Sequence, residues 1–435
     1  MVLYIARILT VLLASLYFFP LNLSFLPADL NSKKLMAAIG LVIFIIENVR
    51  NRSLRMNRDV FICIFLACLV SLAGVFSVAY NNTSDMTYAS YIMSMLVWLG
   101  AAYLVVCVIR LVEDRADVKV LGQYLVSVCV FQCVSALLID TIPAFKSWTL
   151  GWMMGFGFTG IDSEASRMFG MGAFLDVGGT RFAAGLVVLA ALIKEAVKNV
   201  ERVKIYFYLL AFAFILIVGS MIGRTTVIGA FLALFYWLVT SDLFRFRPED
   251  HHTIVRWLAP VILFVVIAAM SLYESDPYYR KNIHFAFENF FSLAETGSLT
   301  STASTSRLLD MFVWPDNMKT WLIGDGYFNG PGSDPNFLGS AAMTDFYMWT
   351  DVGYCRFIFY FGLVGLGLFM LFFIHTAIAC SRKNPDFVLM FVLLVLLNFV
   401  IWIKVSTDIF VMIAPFLCLD IYERDEDNLS PELDL

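Results

Sequence analysis

The sequence predicts an all-α polytopic membrane protein of about 12 transmembrane helices (11 to 13) with two long outward loops, and three observations carry that reading. Of the 435 residues, 60% are apolar, 16% aromatic and only 15% charged, with a mean hydropathy of +0.80. Soluble domains run nearer half apolar and a quarter charged, so a soluble fold could not cover this surface. Apolar stretches of bilayer length recur along the whole chain, and basic residues fall on alternate connections. No internal repeat, long heptad pattern or separate soluble unit is visible, so residues 1–435 read as one integral membrane domain.

A bilayer core takes about 20 mostly apolar residues per helix. Segments of that kind lie near 3–20, 35–49, 60–80, 88–109, 118–139, 182–198, 205–221, 225–244, 256–273, 352–378, 386–403 and 408–422. The second, sixth and last are short or interrupted by polar residues, hence the range. The first reads as a retained span, because no small-residue cleavage site follows it. Orientation follows from "RNRSLRMNRD", "RLVEDRADVK", "KEAVKNVERVK", "FRFRPEDHH" and "SRKNPD", which lie on alternate connections and mark the cytoplasmic side. Twelve spans then place both termini in the cytoplasm, with the acidic tail "ERDEDNLSPELDL" solvated there.

The two long connections, 140–180 and 274–351, face outward on this threading. Long loops are commonly functional. In the second, "TGSLTSTASTS" is of low complexity. "SRLLDMFVW" reads as a short Ser-capped helix ending before Pro315, and "GDGYFNGPGSDPNF" as turns. This loop is expected to fold over the outer face as a partly helical lid.

Several chemistries are excluded. The eight cysteines all fall in or beside apolar segments and read as packing residues, not as a disulfide framework. No zinc-type Cys/His spacing, P-loop or G-x-S-x-G elbow occurs. "GFGFTG" fits a dinucleotide fingerprint only by letter, since no strand precedes it. His251 and His252 read as cytoplasmic surface and His375 as a local hydrogen-bonding residue. Asn22 and Asn81 match glycosylation sequons, a weak pattern. No cofactor, metal or nucleic-acid partner is expected.

The charges on the outward side are the informative residues, because ionisable groups near the membrane interior are costly and usually functional. Arg167 and Arg181 lie in the first long loop, Arg224 in a turn of a few residues within "GSMIGRTTVIG", Arg307 in the second long loop, and Arg356 at the start of span ten. Each alone is open to a bland reading, snorkelling to headgroups. Five together, on the side that the basic-residue bias disfavours, point to an anion site, since guanidinium offers a fork of donors suited to phosphate. Asp351 in "TDVGYCRF" borders span ten and is the candidate general base. Helix capping is the competing reading for "TD". Trp148 and Trp152 suit either stacking on sugars or anchoring at the interface.

Three stretches give the chain a family likeness. "SRMFGMGAF" with "TRFAAGLVVLAAL", the turn "GSMIGRTTVIGAFLAL", and "SRLLDMFVW…WLIGDGYF…TDVGYCRFIFYFGLVGLGLF" resemble the bacterial O-antigen polymerases (Wzy-type) of the O-antigen polymerase/ligase superfamily, over residues 160–375. In that superfamily, ligase-like members carry a histidine about eleven residues before the glycine of "GLxG"; here that position is Asp351. The resemblance implies a GT-C-like architecture in the bacterial inner membrane and an active site facing the periplasm. It implies a metal-independent, inverting glycosyltransferase that joins undecaprenyl-diphosphate-linked repeat units of O-antigen, capsule or exopolysaccharide. It further implies Asp351 as the acceptor's base and Arg167, Arg224 and Arg307, then Arg181 and Arg356, as diphosphate contacts. A chain-length regulator is the implied protein partner. The alternatives are a ligase that moves glycan onto lipid A core, and a lipid-linked oligosaccharide flippase or other transporter. A multi-span polyprenyl-phosphate-sugar transferase ranks lower, because the first outward loop offers only Asp29.

Overall fold

Polar caps mark where helices begin. Side-chain oxygens of Asn31, Asn57 and Asp117 accept from the amides of Lys34 at 3.1 Å, Asp59 at 3.4 Å and Val120 at 2.8 Å, satisfying amides that have no intrahelical partner. A computed structural model of the chain describes residues 1–27, 30–52, 56–153, 168–240, 267, 270–271, 273–274, 277–297, 303–331, 334 and 346–419. Among these the regular structure is helical, with only isolated β-bridges.

In chain order the helices are α1 (Val2–Phe18), α2 (Ser32–Arg50), α3 (Arg58–Asn81), α4 (Tyr91–Glu113), α5 (Val118–Thr141), α6 (Pro143–Trp152), α7 (Leu175–Lys198), α8 (Arg202–Ile222) and α9 (Thr226–Thr240). Four short helices follow in the second long loop: α10 (Pro277–Ala286), α11 (Glu288–Thr296), α12 (Ala303–Asp310) and α13 (Met318–Ile323). The chain returns through α14 (Gly353–Lys383), α15 (Val388–Ile401) and α16 (Phe410–Leu419). Helices α3, α4, α5, α7, α8 and α14 are long and apolar enough to cross a membrane. The protein is therefore an all-α, membrane-embedded chain. The predicted span at 256–273 falls almost wholly outside the described residues.

One boundary moves with consequence. Span six was expected from residue 182, but α7 begins at Leu175, so Arg181 lies in its second turn and not in a loop. "LDVGGT" looks like a helix breaker, yet its glycines sit where the α8–α9 turn packs: a Cβ on Gly179 would overlap Thr225 and the Gly223 carbonyl. Tertiary packing overrides the local propensity. Close approach recurs at Gly40 and Gly100, which bring α2 against α4, as small residues do in membrane bundles.

Ion pairs gather toward the two ends of the bundle. At one end Arg7 binds Glu113 at 2.7 Å, Lys119 binds Glu195 at 2.8 Å, and Arg382 binds Asp59 at 3.0 Å. The other, here termed the loop end, carries the described parts of both long loops. There Lys404 binds Asp176 at 2.6 Å, Lys319 binds Asp325 at 2.6 Å, and Arg224 binds Glu288. The partners come from helix ends that alternating threading puts on one side.

Helix α14 is broken at Gly362, which takes φ +66° and ψ −172°, a region essentially reserved for glycine. The tip of α13 presses into the break, so that a Cβ on Gly362 would run into the Leu322 carbonyl. The freed carbonyls find partners in the turn after α13. Asp325 N donates to Phe359 O at 2.6 Å and Gly326 N to Tyr360 O at 3.1 Å, while Ser77 Oγ donates to Tyr360 O at 2.7 Å. Irregular backbone at membrane depth persists where protein satisfies it. An aromatic core braces the break, with Phe357 and Phe369 at 4.8 Å and 5.1 Å from Trp402. Gly362→Ala is expected to destabilise the solubilised protein by on the order of 1–3 kcal/mol from backbone strain alone. Gly367→Ala, where a Cβ meets nothing, should leave the thermal midpoint unchanged when both are followed by size exclusion after heating.

Candidate functional site

The loop end brings four elements together around Asp351. The segment 350–352 is pinned from the second long loop, where Thr350 Oγ1 donates to Met311 O at 2.6 Å. Leu308, Met311 and Phe312 pack against Val352, Cys355 and Phe359. From α14 comes Arg356, from α7 Asp176, and from the α15–α16 connection Lys404 and Ser406. The turn that carries Arg224 is tied to the same place, because Thr225 and Thr226 donate to the carbonyls of Asp176 and Gly179, each at 3.4 Å.

Asp351 does not cap α14. The hydroxyl of Thr350 takes the Val352 amide at 3.2 Å, and the helix starts at Gly353 without a side-chain cap. The Asp351 carboxylate makes no hydrogen bond among the described residues. It faces Arg356 Nη1 at 4.0 Å, and 41% of the side chain is exposed. Burial pushes its pKa above the ordinary carboxylate range, and the nearby Asp176 charge adds to this, while Arg356 and Lys404 oppose it. An accessible carboxylate with a raised pKa and unspent acceptors suits proton abstraction.

Arg356 is inside the protein, with 5% of its side chain exposed. Nη1 donates to Ser406 Oγ at 2.9 Å, and Nη2 to Phe328 O at 3.0 Å and Asn329 Oδ1 at 3.4 Å. The guanidinium lies between the rings of Phe328 (3.6 Å) and Phe346 (4.2 Å). Its donors tie α14 to Ser406 and to the backbone at 328–329, and they set its charge beside Asp351.

The other expected residues are placed as follows. Arg224 pairs with Glu288 at the start of α11 and stacks on Phe285 at 4.1 Å. Arg307 is exposed on α12, one residue from Leu308 and so on the helix pinned beside Asp351. Arg181 lies over Phe19 at 5.5 Å. Arg167 lies outside the described residues, as do "GFGFTG" and Asp29. Trp148 and Trp152 touch edge to face at 5.3 Å, and the Trp152 carbonyl accepts from Ser24 N at 2.9 Å, so the pair caps the loop after α1. Asn81 is tied internally to Ser77, Gly324 and Lys319. Among the described residues no group of three or more His, Cys, Asp and Glu is placed to hold a metal ion.

Sequence reasoning missed Asp176 and Lys404 beside Asp351. It weighed arginines alone, although Lys33 and Lys404 break the same basic-residue bias and "WIKVSTD" joins two spans on the outward side. No protein-family model, curated protein or solved structure matches the chain.

Proposed function

We propose that this protein is a membrane glycosyltransferase that lengthens a glycan carried on undecaprenyl diphosphate, by joining oligosaccharide repeat units of O-antigen, capsule or exopolysaccharide. The observation that carries the reading is Asp351, an accessible carboxylate that makes no hydrogen bond among the described residues, set among the cations of the loop end. The acceptor hydroxyl attacks the donor's anomeric carbon, its proton passes to Asp351, and the bond from that carbon to the diphosphate oxygen breaks. Attack opposite the leaving group inverts the anomeric centre. The departing lipid diphosphate is stabilised by cations already in place.

On this reading the chain crosses the bacterial inner membrane twelve times, with both termini in the cytoplasm and the loop end in the periplasm. Arg167, Arg181 and Arg307 contact the diphosphate, and Arg224 joins them by exchanging Glu288 for phosphate oxygens. A chain-length regulator is the protein partner that this reaction suggests. Among the described residues the ion pairs sit toward the helix ends and do not line a path between them, which favours an enzyme acting at one face over a transporter.

The test is reconstitution. Purified protein given only undecaprenyl-diphosphate-linked repeat units should yield a ladder of longer glycans. Arg224→Ala should lower the rate roughly 10- to 100-fold, the worth of one charge-assisted contact of about 1.5–3 kcal/mol. Donor carried across vesicles without elongation would refute the reading.

A further inference from the structure

Among the described tryptophans, Trp349 alone has no ring partner. Each of the others lies against a second ring, as Trp148 does on Trp152 and Trp314 on Trp321. Among the described residues the Trp349 indole also meets no cation, and its N–H donates no hydrogen bond, while 54% of the residue is exposed.

The backbone is held for that exposure. Met348 adopts φ 55° and ψ 21°, and Trp349 also takes φ 55°. Two consecutive residues with side chains in the left-handed region are strained, and such strain persists only where neighbours over-determine it. Those neighbours stand on both flanks. Phe346 lies on the Arg356 guanidinium at 4.2 Å. The Tyr347 hydroxyl donates to Asp325 Oδ2 at 3.3 Å, and its ring meets Phe359 edge-on at 5.6 Å. On the other side Thr350 is tied to Met311 O.

After Trp349 the backbone extends, with φ −101° and ψ 134° at Thr350 and φ −62° and ψ 118° at Val352. Side chains alternate along an extended chain. Thr350 and Val352 are fully buried, whereas Trp349 and the Asp351 side chain are 54% and 41% exposed. The indole and the carboxylate thus share the outward side, about 7 Å apart along the backbone, the reach of a single sugar ring.

We infer that Trp349 is the platform on which a pyranose ring of the acceptor glycan stacks, so that one of its hydroxyls is presented to Asp351. The C–H face of a sugar carries partial positive charge and fits the negative face of an indole, while its hydroxyls point sideways within reach of the carboxylate. An anchor in lipid headgroups would need neither the strained backbone nor the side shared with Asp351. The assignment deepens the proposed function and rests on its glycan substrate, but not on the transfer step.

The test is binding of the oligosaccharide repeat unit of the host's own surface polysaccharide, released from its lipid, to the purified full chain. Tryptophan emission is the signal, and vesicles of brominated phospholipid are the parallel probe. Trp349→Ala should weaken glycan binding roughly tenfold, and Trp349→Phe should keep most of it. Trp349→Gly removes the ring and relieves the positive φ. It should lose binding with an equal or higher thermal midpoint, which a misfolded variant does not show. Equal affinities of wild type and Trp349→Ala, or no binding by wild type, would overturn the platform. So would quenching of the Trp349 emission by brominated lipid that the glycan does not relieve, since the residue would then be a membrane anchor. In the elongation assay Trp349→Ala should raise the acceptor's KM more than it lowers kcat. The two readings fail separately: elongation at an unchanged acceptor KM in Trp349→Ala removes the platform alone, and glycan binding through Trp349 without elongation removes the transferase alone.

Discussion

Asp351→Asn is expected to stop glycan elongation, by about 10²-fold or more as loss of a general base does, with the protein still inserted and folded. Asparagine is nearly isosteric, and the carboxylate it replaces makes no hydrogen bond among the described residues, so the fold has little to lose. The wild-type rate should also carry a distinctive pH dependence. Asp351 must be ionised to accept a proton, and burial beside Asp176 places its pKa above the ordinary carboxylate value. The rate therefore falls as pH drops through that raised pKa, at a higher pH than an exposed aspartate, near 3.9, would give. Asp176→Asn should shift this limb down, and loss of the Arg356 charge should shift it up. An acid limb no higher than that of an exposed aspartate, or an active Asp351→Asn protein, would remove Asp351 from the mechanism.

The second large effect is expected at Arg356. Arg356→Lys keeps the charge but loses the fork that bonds Ser406, Phe328 and Asn329, and the planar face that packs between Phe328 and Phe346. Charge-assisted hydrogen bonds are worth about 1.5–3 kcal/mol each, so losing two should cost roughly 3 kcal/mol or more. The expected result is a lower thermal midpoint of the solubilised protein together with loss of elongation. At Arg307, exposed on α12, the same change should leave stability untouched. Equal stability of Arg356→Lys and wild type would show that the fork carries no load.

What the sequence made legible follows from which signals are local. Composition and apolar run length identify the membrane class, because burial in lipid imposes them residue by residue. "GDG" reads correctly as turn: Gly324 and Gly326 both adopt positive φ. "SRLLDMFVW" reads as a Ser-capped helix reaching Pro315; a short helix is there, α12, but it runs from Ala303 to Asp310 with Ser306 inside it and not at its cap. The start of α7 was not legible, since "DVGGT" becomes helix only through its packing on the α8–α9 turn. Nor was the break at Gly362 legible, since Asp325 and Gly326, in a turn well before it in the chain, supply the missing hydrogen bonds.

The site was partly legible for the same reason. Rim charges stand out against apolar spans, so Asp351, Arg356, Arg224 and Arg181 are singled out by the sequence. Their division of labour depends on partners distant in sequence: Ser406 engages Arg356, Glu288 engages Arg224, and Asp176 meets Lys404 across 228 positions. Single-residue reasoning ranked Arg356 as a phosphate contact, whereas its donors serve the protein. It placed Arg181 in a loop, whereas Arg181 lies in the second turn of α7, over the Phe19 ring.

The central claim is that one face of this protein exchanges a glycan from lipid diphosphate to an acceptor sugar. Its most direct measurement is the stoichiometry of reconstituted protein supplied with lipid-linked repeat units alone. One lipid diphosphate freed for each new glycosidic bond, in wild type and not in Asp351→Asn, is the predicted result. Movement of the donor between leaflets with no bond formed and no lipid diphosphate freed would contradict it.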